Sequence, residues 1–265
     1  VATTLRAALA LACVAGAVVR AQDAPAFEVQ PLVGAALRGS LDSIDGAKLE
    51  VGGQSVELRR ICYFHGPAKS IVPIGRVELR LHSGERVVGD VLGGDEDGEG
   101  MTVRSVSCGR VQVSLDDLAL LRVRGAAGFP SAARYRAEGD SDVVFRETAL
   151  GFDPIKGVLE SVDTKGLRFE VDGGASELFP WKAIAGLRLP PEEPERVEGL
   201  QLVVLLSDGS RLRGRPKAID TKAEPPVLLL EHARLGTLRI EVSSLLAGHV
   251  VDPSTRRFVS ALTPK

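Results

Sequence analysis

One sequence pattern occurs four times in this chain and limits what it can fold into. Each copy has an apolar residue, a variable residue, a second apolar residue, two polar or small residues and a third apolar residue. The copies are Val56/Leu58/Ile61, Val113/Leu115/Leu118, Phe179/Trp181/Ile184 and Ile240/Val242/Leu245, and the glycines upstream of them are Gly39, Gly89, Gly157 and Gly214. A repeat of roughly 50 residues indicates copies of one small module.

The four copies align as two alternating types. Residues 81–89 of the second copy lie over 206–214 of the fourth, and residues 39–45 of the first lie over 157–163 of the third. The chain therefore reads as a duplicated two-module unit. The predicted boundaries are 27–74, 75–125, 141–190 and 198–252 for modules 1 to 4, with a linker at 126–140 and a C-terminal tail at 253–265.

The apolar period within a module is two, which predicts strands. In module 4, apolar alternation predicts strands from Leu202, Arg211, Val227 and Leu238, and a short fifth strand follows a tight turn at Ser243–Ser244. Asp208–Gly209 is a hairpin signal, and Gly214 suits a sharp bend. Five short strands with a bent second one favour a small closed barrel, since closure removes most exposed edges. We therefore predict an all-β fold of four tandem SH3-like barrels.

The first 21 residues do not fit this module pattern. A positive start at Arg6, an apolar stretch over 7–19 and the small-residue site Val19–Arg20–Ala21 predict a secretory signal peptide, with export to the periplasm, cell surface or medium. Lipoprotein processing at Cys13 is a minor alternative. Other segments are too short or too polar to predict a membrane span.

Two cysteines remain after this segment. Cys62 and Cys108 lie in neighbouring modules, and an oxidising compartment permits a disulfide between them. Two buried free thiols are the alternative.

The strand, Asp-Gly turn, strand, glycine and aspartate layout at Asp208–Gly209, Gly214 and Asp220 resembles the first half of the Sm-like fold. Tandem copies that end in stretches such as 179–184 also resemble the N-terminal regions of large secreted bacterial proteins. The resemblance implies small barrels and an association with carbohydrate-binding modules. It does not imply RNA binding, because the Sm base pocket needs an asparagine and this chain has none.

The sequence shows few motifs that would indicate catalysis or metal binding. The chain lacks a Gly-x-Ser-x-Gly elbow, a phosphate loop and a His-Glu-x-x-His pair. We expect no cofactor, no metal site and no catalytic set, and the acidic segment 93–100 lacks the distal glutamate of a full calcium loop. The net charge of −2 does not favour a nucleic-acid partner.

The aromatic residues leave two interpretations open. Trp181 is either a core residue or a platform for stacking a sugar. Tyr63, Phe64 and the adjacent His65 either form an exposed patch for a partner or fill the seam between modules 1 and 2.

Three function hypotheses follow. The first is a non-catalytic exported binding or scaffold protein with protein or glycan partners at the cell envelope. The second is a hydrolase that acts on an envelope polymer at a cleft between modules, which would require two acidic side chains, or His249 with a carboxylate and a hydroxyl, within hydrogen-bonding reach. The third is an architectural spacer or self-assembling element.

Overall fold

The computed structural model describes residues 26–125, 141–190, 192 and 197–252, and its described strands confirm the all-β class. The predicted signal peptide, Cys13, the linker at 126–140 and the tail at 253–265 lie outside the described residues. Hydrogen bonds link eighteen of the described strands into one antiparallel sheet, while three strands of module 1 form a separate sheet.

Each module contributes a consecutive set of strands. Module 1 has β1 (Phe27–Pro31), β2 (Leu37–Gly39), β3 (Leu41–Ile44), β4 (Lys48–Val51), β5 (Gln54–Glu57) and β6 (Ile61–His65). Module 2 has β7 (Val77–Leu81), β8 (Arg86–Gly94), β9 (Gly100–Ser105), β10 (Gly109–Ser114) and β11 (Leu118–Val123). Module 3 has β12 (Asp142–Thr148), β13 (Gly151–Val162), β14 (Gly166–Val171), β15 (Ser176–Pro180) and β16 (Ile184–Arg188). Module 4 has β17 (Gln201–Leu206), β18 (Arg211–Asp220), β19 (Val227–His232), β20 (Gly236–Glu241) and β21 (Leu245–Val251).

The recurring motif builds the same corner in every module. A single turn of 3-10 helix separates the last two strands at Leu58–Arg60, Trp181–Ala183 and Val242–Ser244. Module 2 has an equivalent turn, where the N–H of Leu118 donates to the carbonyl of Leu115 at 3.0 Å. The last strand then pairs with the first strand of its own module, as β6 does with β1 and β21 with β17.

In modules 2, 3 and 4, the glycine of the second strand lies where that strand passes closely over the third strand. A Cβ at Gly89, Gly157 or Gly214 would lie 2.4, 2.0 or 2.5 Å from a backbone carbonyl oxygen of the neighbouring strand. A side chain at these positions would therefore force the strands apart, which explains why glycine recurs there.

The modules are joined through their last strands, module 1 to module 4 and module 2 to module 3. β6 of module 1 pairs with β21 of module 4, and β11 of module 2 pairs with β16 of module 3. The registers are equivalent: Phe64 lies opposite Gly248, and at the corresponding positions Leu187 lies opposite Leu121.

Modules 2 and 4 meet at a pseudo-two-fold axis. β8 pairs with β18 at Arg86 and Arg211, which are equivalent residues in the alignment of 81–89 with 206–214. An antiparallel pair that places equivalent residues opposite each other relates the two halves of the chain by a local two-fold rotation. One connected apolar core runs through all four modules, with fully buried side chains such as Val29, Leu79, Leu167 and Val204.

Candidate functional site

The joint between modules 2 and 4 contains most of the buried polar side chains described in the structure. Glu85, in the turn before β8, has only 4% of its side chain exposed. Its carboxylate accepts a hydrogen bond from the hydroxyl of Ser83 and lies 2.9 Å from Nε of Arg213 on β18. Burying a carboxylate is costly unless it is paired and hydrogen-bonded, and this one is both.

His232, at the end of β19, lies beside that pair. Its Nδ1 accepts hydrogen bonds from the backbone N–H groups of Arg234 and Leu235, each at 3.1 Å. In the neutral ring the proton is therefore on Nε2, which is buried 4.0 Å from Oε1 of Glu85 and has no hydrogen-bond partner among the described residues. Burial lowers the pKa of His232, and the smaller effect of the Glu85 carboxylate opposes this.

A cavity of about 30 Å³ lies against these side chains. Asp117 and Arg234 line its rim, with Oδ1 and Nε 3.5 Å apart, and His82 lines it too, where its Nδ1 accepts the N–H of Glu192 at 3.4 Å. This volume suits a water molecule or two rather than a sugar. Glu85, Arg213 and His232 therefore lie between two modules, beside a space too small for a sugar.

The pseudo-two-fold axis produces a second version of the same contact, which has serines in place of the Glu85 and His232 side chains. Asp208, equivalent to Ser83, accepts hydrogen bonds from the hydroxyl of Ser105 at 2.7 Å and from the N–H groups of Ser107 and Ser210 at 3.3 and 2.8 Å. The hydroxyl of Ser210, equivalent to Glu85, accepts the N–H of Val88 at 2.9 Å. In this copy the hydroxyl of Ser107 is the buried group without a hydrogen-bond partner among the described residues, as Nε2 of His232 is in the first copy.

A larger cavity of about 350 Å³ opens on that second side of the joint. Three arginines line it, Arg86 from β8 and Arg122 and Arg124 from β11 or its end, together with Glu78 and Asp208. Nε of Arg86 is buried and has no hydrogen-bond partner in the part of the chain that the structure describes. We call this cavity the arginine pocket.

Phe64 lies at a seam between modules, but with a different module from the one predicted. Phe64 is buried against Phe27, with ring centroids 6.3 Å apart, and its strand pairs with β21 of module 4 rather than with module 2. Tyr63 is half-buried, with its ring 5.2 Å from that of His65. Trp181 is partly buried against the core, and its Nε1 donates to the carbonyl of Asp163 at 3.0 Å.

The remaining predicted residues lie apart from one another. Cys62 and Cys108 are free thiols in the structure, and burial together with the nearby Asp208 carboxylate raises the pKa of Cys108 to about 12. His249 is half-buried, and burial and then the Arg211 guanidinium lower its pKa.

Within the described residues, groups of three or more histidine, cysteine or acidic side chains suited to a metal ion are absent. The acidic segment 93–100 forms the tip of a hairpin, where the N–H of Asp95 donates to the carbonyl of Gly100 at 3.1 Å. Over those same ranges, none of the helical segments is long and apolar enough to cross a membrane.

Sequence reasoning missed Glu85, His232 and the arginine pocket. Glu85 follows a Ser-Gly turn, where an exposed side chain is expected, and only docking of module 4 buries it. The alignment of the repeats contained one indication of this site. Glu85 of module 2 aligns with Ser210 of module 4, so the two copies of the contact differ in a charged side chain. No protein-family model matches the chain, and no curated protein matches it.

Proposed function

We propose that the chain is a non-catalytic exported binding or scaffold protein, built from four small SH3-like barrels, that engages protein or glycan partners at the cell envelope. The barrel assignment is supported by the pairing of first and last strands in every module, by the turn before each last strand, and by second strands that divide between two sheets. β18, for example, pairs with β17 over its first half and with β19 over its second half.

One observation carries the proposed role: equivalent strand edges join the modules with equivalent registers on both sides of the two-fold axis. Hydrogen-bonded strand edges and a buried polar joint hold modules in fixed relative positions. A chain with this construction presents the remaining surfaces of its modules as one ordered array, which is what a scaffold requires.

The strand edges that stay open are suited to peptide partners. In the described residues, β15 pairs only with β14, and its Leu178 is 44% exposed. An extended peptide can add a strand to such an edge, where backbone hydrogen bonds supply affinity.

The hydrolase hypothesis has less support at the buried joint. The hydroxyl of Ser83 donates to Glu85 and not to His232, and the adjoining cavity has the volume of a water molecule or two. Nucleophile activation requires a base that accepts the proton of the hydroxyl and a substrate next to both groups.

Export is tested by expressing the full chain in a bacterial host and measuring its N-terminus by mass spectrometry. Cleavage after Ala21 is expected. Retention of residues 1–21 on cytoplasmic protein would contradict export.

Partner binding is tested with residues 22–265 immobilised and exposed to cross-linked envelope extract, and with the same protein on a glycan array. The variant Leu178→Lys should weaken binding of partners that add a peptide strand to β15, because a charge at an edge strand opposes strand addition. Val158→Lys is a matched control, since Val158 is 57% exposed but lies on β13, opposite Glu170 of β14. If the immobilised protein captures no envelope protein and binds no glycan on the array, the result would count against the proposal. Light scattering of the purified chain would then distinguish a monomeric spacer from a self-assembling element.

A further inference from the structure

We propose that β15 pairs with β15 of a second copy of this chain, antiparallel and about a two-fold axis at Leu178, so that two four-module arrays form a closed homodimer. The pairing occupies the open strand edge on which the proposed function also rests, and it names a second copy as the partner there. Three observations support it: the geometry of the joints within the chain, the position of β15 in the array, and the residue at the centre of this strand.

The joints described in the structure all pair equivalent strands in antiparallel fashion. Last strands pair at two joints, and second strands pair at the third. Equivalent residues lie directly opposite each other each time: Phe64 opposite Gly248, Leu121 opposite Leu187, and Arg86 opposite Arg211. Each joint therefore has a local two-fold axis, which is also the relation between the subunits of a closed dimer. Modules of this kind thus associate through like strand edges.

The fourth strand of an end module offers such an edge to a second copy. The joints order the modules 1, 4, 2 and 3, so modules 1 and 3 stand at the ends. Among the described residues, β5 of module 1 pairs only with β4 and β15 of module 3 only with β14. The edge of β20, inside the array, is partly covered, because the N–H of Glu241 donates to the carbonyl of Ser107 of module 2 at 3.1 Å.

The central residue of β15 distinguishes it from the other fourth strands. Leu178 precedes the first apolar residue of the recurring motif, and the residues at that position in β5, β10 and β20 are Ser55, Gln112 and Arg239. Polar and charged residues protect strand edges against pairing with other chains. Leu178 is 44% exposed, so this edge has an apolar side chain where the other three have a polar or charged one. The difference favours β15 over β5 as the edge that pairs.

The sequence of β15 is compatible with pairing to itself. Leu178 is the middle residue of Ser176–Pro180, so a two-fold axis there places Leu178 opposite Leu178 and Ser176 opposite Pro180. Glu177, the one charged residue of the strand, then lies opposite Phe179 of the second copy rather than opposite its equivalent. Apolar pairs directly opposite each other stabilise an antiparallel ladder, and like charges in that position destabilise it.

Pairing of β15 with β5 of the second copy is the competing arrangement. It would place Leu178 opposite Ser55 and give up the apolar pair. It would also leave one open edge at each end, so further copies would add and build a filament. The number of copies in the assembly therefore distinguishes the two arrangements.

The test is sedimentation velocity of the chain 22–265 over a dilution series through the micromolar range. A ladder of five residues is smaller than a standard interface, so we expect a weak dimer that dissociates on dilution and does not grow beyond two copies. Leu178→Lys should weaken the dimer by about tenfold or more, because two lysines would lie directly opposite each other. Val158→Lys is the matched control, since it adds the same charge on β13, two strands from the edge, and should leave the dimer unchanged.

Crosslinking gives a second measurement that does not depend on Leu178→Lys. In the proposed pair, cysteines in Leu178→Cys would have Cβ atoms about 4.5–5.5 Å apart. A short bifunctional thiol reagent should therefore produce a covalent dimer well above the level seen with the wild type, whose thiols are Cys62 and Cys108. Ser55→Cys, at the equivalent edge of module 1, should remain at the wild-type level.

Four results would overturn the pairing: a monomer at every concentration, species larger than two copies, a dimer unchanged by Leu178→Lys, or equal crosslinking of Ser55→Cys and Leu178→Cys. Capture of envelope partners is measured separately. A monomer that captures a partner would support the proposed function alone, and a dimer that captures none would support the pairing alone.

Discussion

Acid should destabilise the fold through His232, which is a change that can be measured. The ring is buried, with 4% of its side chain exposed, and burial lowers its pKa below the ordinary value of 6.5. In the unfolded chain the ordinary value returns. As the pH falls through 6.5, the unfolded state therefore binds a proton that the folded state does not. The stability due to the neutral ring is present above that pH and is lost below it.

The size of the effect has an upper limit set by one proton. Each pH unit below 6.5 removes at most about 1.4 kcal/mol from the free energy of unfolding, so the limit at about pH 5.5 is about 1.4 kcal/mol. Three charged groups face the ring. Glu85 and Asp117 favour the protonated ring and reduce the loss, while Arg213 opposes protonation and increases it.

The assay is urea unfolding at about pH 7.5 and about pH 5.5 for the wild type and His232→Asn. The Oδ1 atom of asparagine can replace Nδ1 as acceptor for the N–H groups of Arg234 and Leu235 without titrating. The wild type should lose more stability between the two pH values than the variant does, by up to about 1.4 kcal/mol. His65→Asn is the control, because His65 is exposed and its replacement should leave the wild-type difference intact.

Two results would refute this reasoning. The variant and the wild type could lose the same stability, which would place the acid sensitivity elsewhere, as at His249. Alternatively, acid could stabilise the wild type relative to the variant, which would mean that the Glu85 carboxylate outweighs burial.

Two further predictions concern the seam and the cysteines. Gly248→Ala should destabilise the protein by about 1–3 kcal/mol in urea unfolding, because the new Cβ would lie 2.3 Å from Cζ of Phe64. Gly46→Ala, with open space around it, should change stability little, and equal effects would contradict the packing argument. In the chain 22–265 at neutral pH, a thiol reagent should label half-buried Cys62 much faster than buried Cys108, whose pKa is raised to about 12. Both thiols should react after denaturation without reductant, and loss of both signals would show a disulfide.

Local signals predicted much of the strand pattern, because each depends on residues close in sequence. In module 4 the expected strands start within one or two residues of β17, β18, β19, β20 and β21, and the turn falls at Val242–Ser244. Gly209 adopts a φ of +90° in the predicted hairpin turn, a conformation that glycine reaches without steric cost.

The partners of the modules could not be predicted from the same signals. β6, β11, β16 and β21 are all short apolar strands, so nothing in their patterns distinguishes pairing of module 1 with module 2 from pairing with module 4. That choice depends on how Phe64 fits over Gly248, a contact between residues far apart in sequence.

The buried joint escaped prediction for a related reason. Asp208 and Glu85 stand in hairpin turns, where charged residues are usually solvated, and their burial follows from the docking of one module on another. A sequence pattern shows that a turn forms, but not what covers it.

The two copies of the joint separate architecture from function. In the copy built on Asp208 and Ser105, the Asp208 carboxylate accepts hydrogen bonds from Ser105 and Ser210. The other copy pairs Glu85 with Arg213 and buries Nε2 of His232 without a hydrogen-bond partner among the described residues. Because both copies form around the same pairing of Arg86 with Arg211, the polar side chains differ between them while the strand pairing stays the same. The side chains that break the two-fold symmetry are therefore the ones where we expect recognition and pH sensitivity to lie.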